Sequence, residues 1–166
     1  MKRFLSLSIA LFFAIAVYGQ AEKVQAMFVY NFTKYVEWPV STRSGNFVIA
    51  VYGNSPIYEE LIKVAGTKSA GNQSIEVQKV KSVGDITTQH MIFISQDKSV
   101  DLGAIIGKIG SAPSLIITEA DGLISKGSAI NFVIIENRQR FELKKDNVIN
   151  KGLKVSSELE KFAILK

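Results

Sequence analysis

The sequence predicts an α/β fold of three layers: a mostly parallel central sheet flanked by helices, with an antiparallel hairpin at one edge. Three observations predict it. Residues 46–52 (NFVIAVY), 91–95 (MIFIS) and 114–118 (SLIIT) are short uncharged runs that suit strands buried on both faces. Segments with apolar residues three and four apart lie between them, as crossover helices do. Near the C-terminus, residues 128–135 (SAINFVII) and 139–143 are separated only by Glu136-Asn137-Arg138, the pattern of a tight hairpin.

The chain opens on the three parts of a secretory signal. Met1-Lys2-Arg3 is a basic start, residues 4–17 are uncharged and apolar, and Val17-Tyr18-Gly19 offers a cleavage site. The apolar run is shorter than the roughly 20 residues that span a bilayer. We therefore expect residues 1–19 to be removed and residues 20–166 to form one periplasmic domain. Roughly 145 residues is a common domain size.

The elements follow in order. Residues 22–37 read as a helix whose stripe is Val24, Phe28, Phe32, Tyr35 and Val36; Pro39 ends it and leaves Trp38 at its tip. After the first core strand, Ser55-Pro56 fits a helix start. That helix runs to about Ala65 on Tyr58, Leu61, Ile62 and Ala65. Residues 66–74 are polar and glycine-rich, a loop. Residues 75–80 alternate, as a half-exposed or edge strand does. The second core strand, a short helix over 101–109, the third core strand and the hairpin follow. Asp146 and Ser156 are candidate caps for two final helices, the last over 155–165 with Val155, Leu159, Phe162 and Ala163 inward.

Composition excludes several functions. There is no cysteine and only one histidine, His90, so disulfides, a thiolate nucleophile and a multi-histidine zinc site are all absent. Lys+Arg is 20 against Asp+Glu 15; without Lys2 and Arg3 it is 18 against 15, or +3. That is too weak and too scattered for a nucleic-acid partner. Gly66 and Gly71 have P-loop spacing, but Asn72 and Gln73 follow where Lys and Ser or Thr are required. There is no Gly-x-Ser-x-Gly and no His-Glu-x-x-His. His90, at the mouth of a strand, reads as a hydrogen-bonded structural residue. Glu119 and Asp121 follow a core strand, where open α/β sheets place ligands, yet beside Gly122 they read as turn residues. We expect no enzyme, no metal and no cofactor.

Aromatic residues with polar tips gather at the end of the first helix: Tyr30, Tyr35 and Trp38, near Lys34 and Glu37. Such residues suit interfaces and ligand pockets, and they also pack under loops.

At these residues the chain resembles the YfiR-like family. Residues 27–39 (MFVYNFTKYVEWP) carry its opening signature through Asn31, Phe32, Trp38 and Pro39. Residues 47–53 match its apolar strand followed by glycine. Gly127, Ile130, Asn131 and Phe132, then Arg140, Phe141 and Glu142, resemble its Gly-x-x-Ile-Asn-Phe and Arg-Phe-Glu block. Residues 152–159 (GLKVSSEL) resemble its closing motif. The resemblance implies an α/β fold, a periplasmic location and often a homodimer. It implies a membrane-bound sensor as partner, a diguanylate cyclase or a histidine kinase, held inactive by contact and tied to cyclic di-GMP and biofilm control. Gln89-His90 stands where many members carry a cysteine, so disulfide-based sensing does not extend to this chain.

On this reading Tyr30, Lys34, Trp38, Arg138 and Arg140 are the candidate partner- or ligand-binding residues. Asn31, Phe32, Pro39, Gly127, Asn131, Phe132 and Phe141 are the structural motif. Asn131 is expected to brace a neighbouring loop, and Arg140 to pair with Glu37 or Glu142 or face a partner. The rival is a periplasmic small-molecule receptor with its pocket at Tyr30 and Trp38.

Overall fold

The computed structural model describes residues 21–166, so the expected leader and its cleavage site lie outside the described residues. The apolar runs become the centre of an eight-stranded sheet in the order β10-β8-β7-β6-β5-β2-β4-β3. The strands are β1 (Val36–Glu37), β2 (Phe47–Tyr52), β3 (Ser69–Ala70), β4 (Gln73–Val80), β5 (Met91–Ile94), β6 (Leu115–Thr118), β7 (Ile130–Ile135), β8 (Arg138–Leu143), β9 (Lys154–Val155) and β10 (Ile164–Leu165). From β4 to β7 every pairing is parallel. β7 and β8 form the expected antiparallel hairpin, and β10 adds two parallel residues outside β8. β1 and β9 pair separately as a small antiparallel ribbon.

The three layers follow from the two-residue period of a strand. Ile49, Val51, Met91, Phe93, Leu115 and Ile117 point into one core. Their neighbours Ala50, Tyr52, Ile92, Ile94 and Ile116 point into the other. The first core is covered by α1 (residues 21–35) through Val29 and Phe32, by α2 (Ile57–Ala65) through Ile57 and Leu61, and by Val148 of α4 (Lys145–Ile149) and Leu159 of α5 (Ser157–Phe162). The second is covered by Leu102, Ile105 and Ile109 of α3 (Leu102–Ile109). Charge-free strands are needed because both faces are dry.

Two glycines are required by this packing. Gly127 sits at φ +113, and a β-carbon there would lie 2.5 Å from Ile106 Cδ1 of α3. Gly53, at φ +102, brings the end of β2 against Ser95 too closely for any side chain. The β7–β8 turn is made by Glu136 (φ 51) and Asn137 (φ 60), two left-handed residues in a row, the geometry that matches strand twist.

Several sequence expectations are corrected. α1 ends at residue 35, because Val36 and Glu37 are drawn into extended pairing with Val155 and Lys154. Its buried face includes Ala26, Val29 and Tyr30, whereas Val24 is exposed; the helix lies broadly on the sheet and buries more than one narrow stripe. In α2, Ile62 is exposed and Ile57 takes the inward place. The 66–74 loop contains β3 and the start of β4, paired through Ser69–Ser74 and Ala70–Gln73. Lys144, not Asp146, occupies the cap position of α4; Asp146 lies in its first turn, where a carboxylate favours the helix dipole. The expected last helix is split into β9, α5 and β10, which leaves Phe162 exposed. Ser156 does cap α5, accepting from the Leu159 N–H at 3.3 Å.

Candidate functional site

Where α1 gives way to β1, the chain builds a cleft of about 670 Å³. One wall is the β1–β9 ribbon with Lys34, Tyr35, Val36, Glu37, Lys154 and Val155. The other is the β3–β4 turn with Ala70, Gly71, Asn72 and Gln73, and Arg43. Trp38 and Phe47 form its apolar floor. Trp38 is 5% exposed; its ring meets Phe47 edge-on at 4.9 Å, and its Nε1–H donates to the His90 carbonyl at 3.3 Å.

His90 sits beneath this floor, stacked on Phe47 at 4.4 Å. The Val48 N–H donates to Nδ1 at 3.0 Å, so Nδ1 holds a lone pair and the ring proton is on Nε2. Nε2 then donates to the Thr42 carbonyl at 2.8 Å. Thr42 closes a short 3-10 turn, Val40–Thr42, which puts Arg43 over the cleft. The Arg43 guanidinium donates to the Trp38 carbonyl from Nε (3.1 Å) and Nη2 (2.9 Å), and Nη2 also meets Glu37 Oε1 at 3.1 Å. From the other wall, the Gln73 side-chain amide lies within 3.2 to 3.4 Å of the carbonyls of Thr42, Ser44 and Gly45. The cleft's shape thus rests on His90, Arg43 and Gln73, none of which stood among the candidate site residues. Their signal is visible only as isolated polar residues beside apolar strands.

The candidate residues separate in space. Lys34 and Trp38 line the cleft; Tyr30, Arg138 and Arg140 do not. Tyr30 is buried, with the Lys34 ammonium 4.4 Å from its ring centre. Phe32, Phe132 and Phe141 pack together in the first core, Phe32 meeting the other two at 6.1 and 5.2 Å. Asn31, Phe32, Tyr35 and Phe141, with Phe28, Leu159 and Phe162, line a second hollow of about 180 Å³. Pro39 precedes the 3-10 turn.

Arg138 and Arg140 are exposed on β8, opposite Ile135 and Val133. Of the alternatives for Arg140, the two pairings are corrected: Glu37 is taken by Arg43, which is six residues away and faces it, and Glu142 by Lys166 at 3.1 Å, which leaves Arg140 exposed. Asn131 is also corrected. It braces strands, not a loop: its Oδ1 accepts from the Thr118 hydroxyl at 2.7 Å and its Nδ2 donates to Glu142 at 3.2 Å.

The C-terminal ends of β2 and β5, where the strand order reverses, are the usual ligand crevice of such sheets. Here the protein's own side chains fill it. Tyr52 Oη donates to Asp101 at 2.6 Å, and Ser95 bonds to Asp97. The Asp101 bond, burial, and the charges of Asp101 and Asp97 push the Tyr52 phenol up to about 12. Glu119 accepts from the Gln96 N–H at 3.2 Å, and burial raises its carboxyl above the usual range. Asp121 is exposed and is not joined to it. Among the described residues no group of three or more His, Asp or Glu is placed to hold a metal ion.

The YfiR/HmsC-like family model (DUF4154) matches residues 22–164, which takes in the cleft, the second hollow and the hairpin. The chain belongs to this family. Members are regulators rather than enzymes, in keeping with control of diguanylate cyclases. No curated protein matches this YfiR/HmsC-like chain. Among the described residues no helix is long and apolar enough to cross a membrane. In the cysteine-free YfiR/HmsC-like chain, the expected cysteine position is filled by Gln89 and His90, both buried and hydrogen-bonded.

Proposed function

We propose that this chain is an exported, periplasmic, non-enzymatic regulator. It holds a membrane-bound sensor enzyme, a diguanylate cyclase or a histidine kinase, in its silent state by direct contact. Membership of the YfiR/HmsC-like family over residues 22–164 carries the reading. The buried polar groups support it too: His90 and Asn131 are spent on a backbone carbonyl and on neighbouring strands, which leaves them as bracing groups of a scaffold.

Regulation of this kind is a population shift. The regulator silences its partner only by binding the inactive form more tightly than the active one. The working surface is the β7–β8 hairpin, where Arg138 and Arg140 make no ion pair among the described residues and Ile135, directly opposite Arg138 on the same face, is 47% exposed. Arginine beside exposed apolar residues is the composition of an interface core.

The test is an affinity pull-down from solubilised envelope, with the mature protein as bait and mass spectrometry of what is retained. The expected catch is a membrane protein with an extracytoplasmic sensor and a cyclase or kinase domain. Arg138→Ala with Arg140→Ala should lose it while folding normally. A folded wild-type bait that retains no such protein removes the reading. Trp38 is unsuited to this test: truncating so buried a ring excavates the core.

A second reading, a small-molecule receptor, is favoured by the cleft over Trp38, whose volume lies within the range of ligand pockets.

A further inference from the structure

We infer that the cleft beside Trp38 is an effector site for a small organic anion, a carboxylate joined to an apolar body. The inference rests on the receptor reading and names its ligand class.

The chemistry comes from the lining. Four charged side chains line the cleft: Lys34, Arg43, Lys154 and Glu37. Glu37 is matched by Arg43 at 3.1 Å. That leaves Lys34 and Lys154, neither of which has a carboxylate within ion-pair distance among the described residues. The strand register sets Lys154 directly across from Glu37, and Lys34 lies three residues before Glu37. An entering ligand therefore meets a rim with two unmatched positive charges, above a dry floor of Trp38, Phe47, Val36, Val155 and Ala70. Ammonium groups without a carboxylate partner attract one, Lys34 from its place 4.4 Å from the Tyr30 ring centre, and the edges of Trp38 and Phe47 accept an apolar body. A neutral ligand would gain from the floor alone. A cation would be repelled at the rim.

Occupancy has a route into the fold. The Arg43 guanidinium holds both Glu37 and the Trp38 carbonyl. A ligand carboxylate at the rim competes with Glu37 for Arg43, and Glu37 is one of the two residues of β1. The anion thus acts on the segment that joins α1 to the sheet.

Trp38 is the only tryptophan in the sequence, so intrinsic fluorescence reports on this cleft. The full mature protein is titrated with 3-phenylpropionate and with octanoate, and in parallel with their amides, which keep the shape without the charge. Both carboxylates should shift Trp38 emission saturably and raise the melting temperature, with the amides at least tenfold weaker. Lys34→Gln with Lys154→Gln should weaken carboxylate binding at least tenfold and leave the free protein's melting temperature unchanged. Arg138→Gln, on the hairpin, should bind as wild type does.

Several results would overturn the inference. Neither carboxylate moves Trp38 emission; or the amides bind as well, in which case a receptor survives and its charge preference does not; or the double lysine variant binds unchanged. A fourth is that the small carboxylates do nothing while the lysine variant loses the membrane partner in the pull-down. The two cations would then serve an acidic segment of that partner.

Discussion

The imidazole Nε2 of His90 lies 2.8 Å from the carbonyl oxygen of Thr42. This bond ties the start of β5 to the turn that carries Arg43. The opposite ring nitrogen accepts from the Val48 backbone at 3.0 Å, so one side chain satisfies a donor on β2 and an acceptor outside the sheet. A buried ring used on both nitrogens is a brace for the cleft floor.

His90→Phe keeps a ring against Phe47 and removes both bonds, leaving the Val48 N–H without its acceptor and the Thr42 carbonyl with the Gln73 amide alone. It should lower stability by about 2 kcal/mol. His90→Ala also loses the stacking area and should cost about 3 kcal/mol. Urea denaturation measures both. Equal stability of His90→Phe and wild type would mean that stacking alone matters here.

Asn131 is wholly buried between Thr118 and Glu142. Asn131→Ala should cost about 2–3 kcal/mol, because the hydroxyl and carboxylate lose a shared partner. Thr118→Val in the same background should couple with it by about 1 kcal/mol. Additive losses in the double-mutant cycle would show that the two side chains act independently.

Tyr52 should titrate near pH 12 when followed by near-ultraviolet absorbance. The folded value lies above the unfolded one, so its contribution is complete below pH 10 and is lost as pH rises from 10 to about 12. Tyr52→Phe should cost about 1 kcal/mol at neutral pH and abolish the absorbance step near pH 12. A step that persists there in the variant would remove the assignment to Tyr52.

Glu119 has the same sign. Burial, with the charges of Glu22 and Asp97, lifts its carboxyl against the lowering contacts of Gln96 and Gln25. A carboxyl raised in the folded state stabilises below the ordinary glutamate range, and that contribution is lost as pH rises through the folded value. Glu119→Gln escapes this loss. Its melting temperature should match wild type in acid and exceed it increasingly as pH rises through and above the usual glutamate range. A constant or reversed difference would place the carboxylate in a favourable pair instead.

Much of this architecture can be read locally. The uncharged runs that became β2, β5 and β6 announce themselves because a strand dry on both faces admits no charge. The hairpin is legible from the short polar gap Glu136-Asn137-Arg138, in which Glu136 and Asn137 close the turn in left-handed conformations while Arg138 already begins β8. Ser156 marks a helix start, since a hydroxyl in that place satisfies a free N–H within its own turn. The family's signatures were likewise open to inspection, being stretches of consecutive residues. In each case the physical cause lies within a few residues of its effect.

The cleft was not legible in that way. Val36 and Glu37 continue a helical pattern, and only pairing with Val155 and Lys154, more than a hundred residues on, makes them extended. Tyr30 has a polar tip that suits an interface, yet folding buries it. Arg140 had two acids to choose from and received neither, because Arg43 and Lys166 reach them first. Local pattern sets which segments are strands and helices, since burial and backbone conformation act at short range. Which side chains meet at the floor and rim of the cleft follows from long-range pairing and competition for partners, and these exist only once the chain has folded.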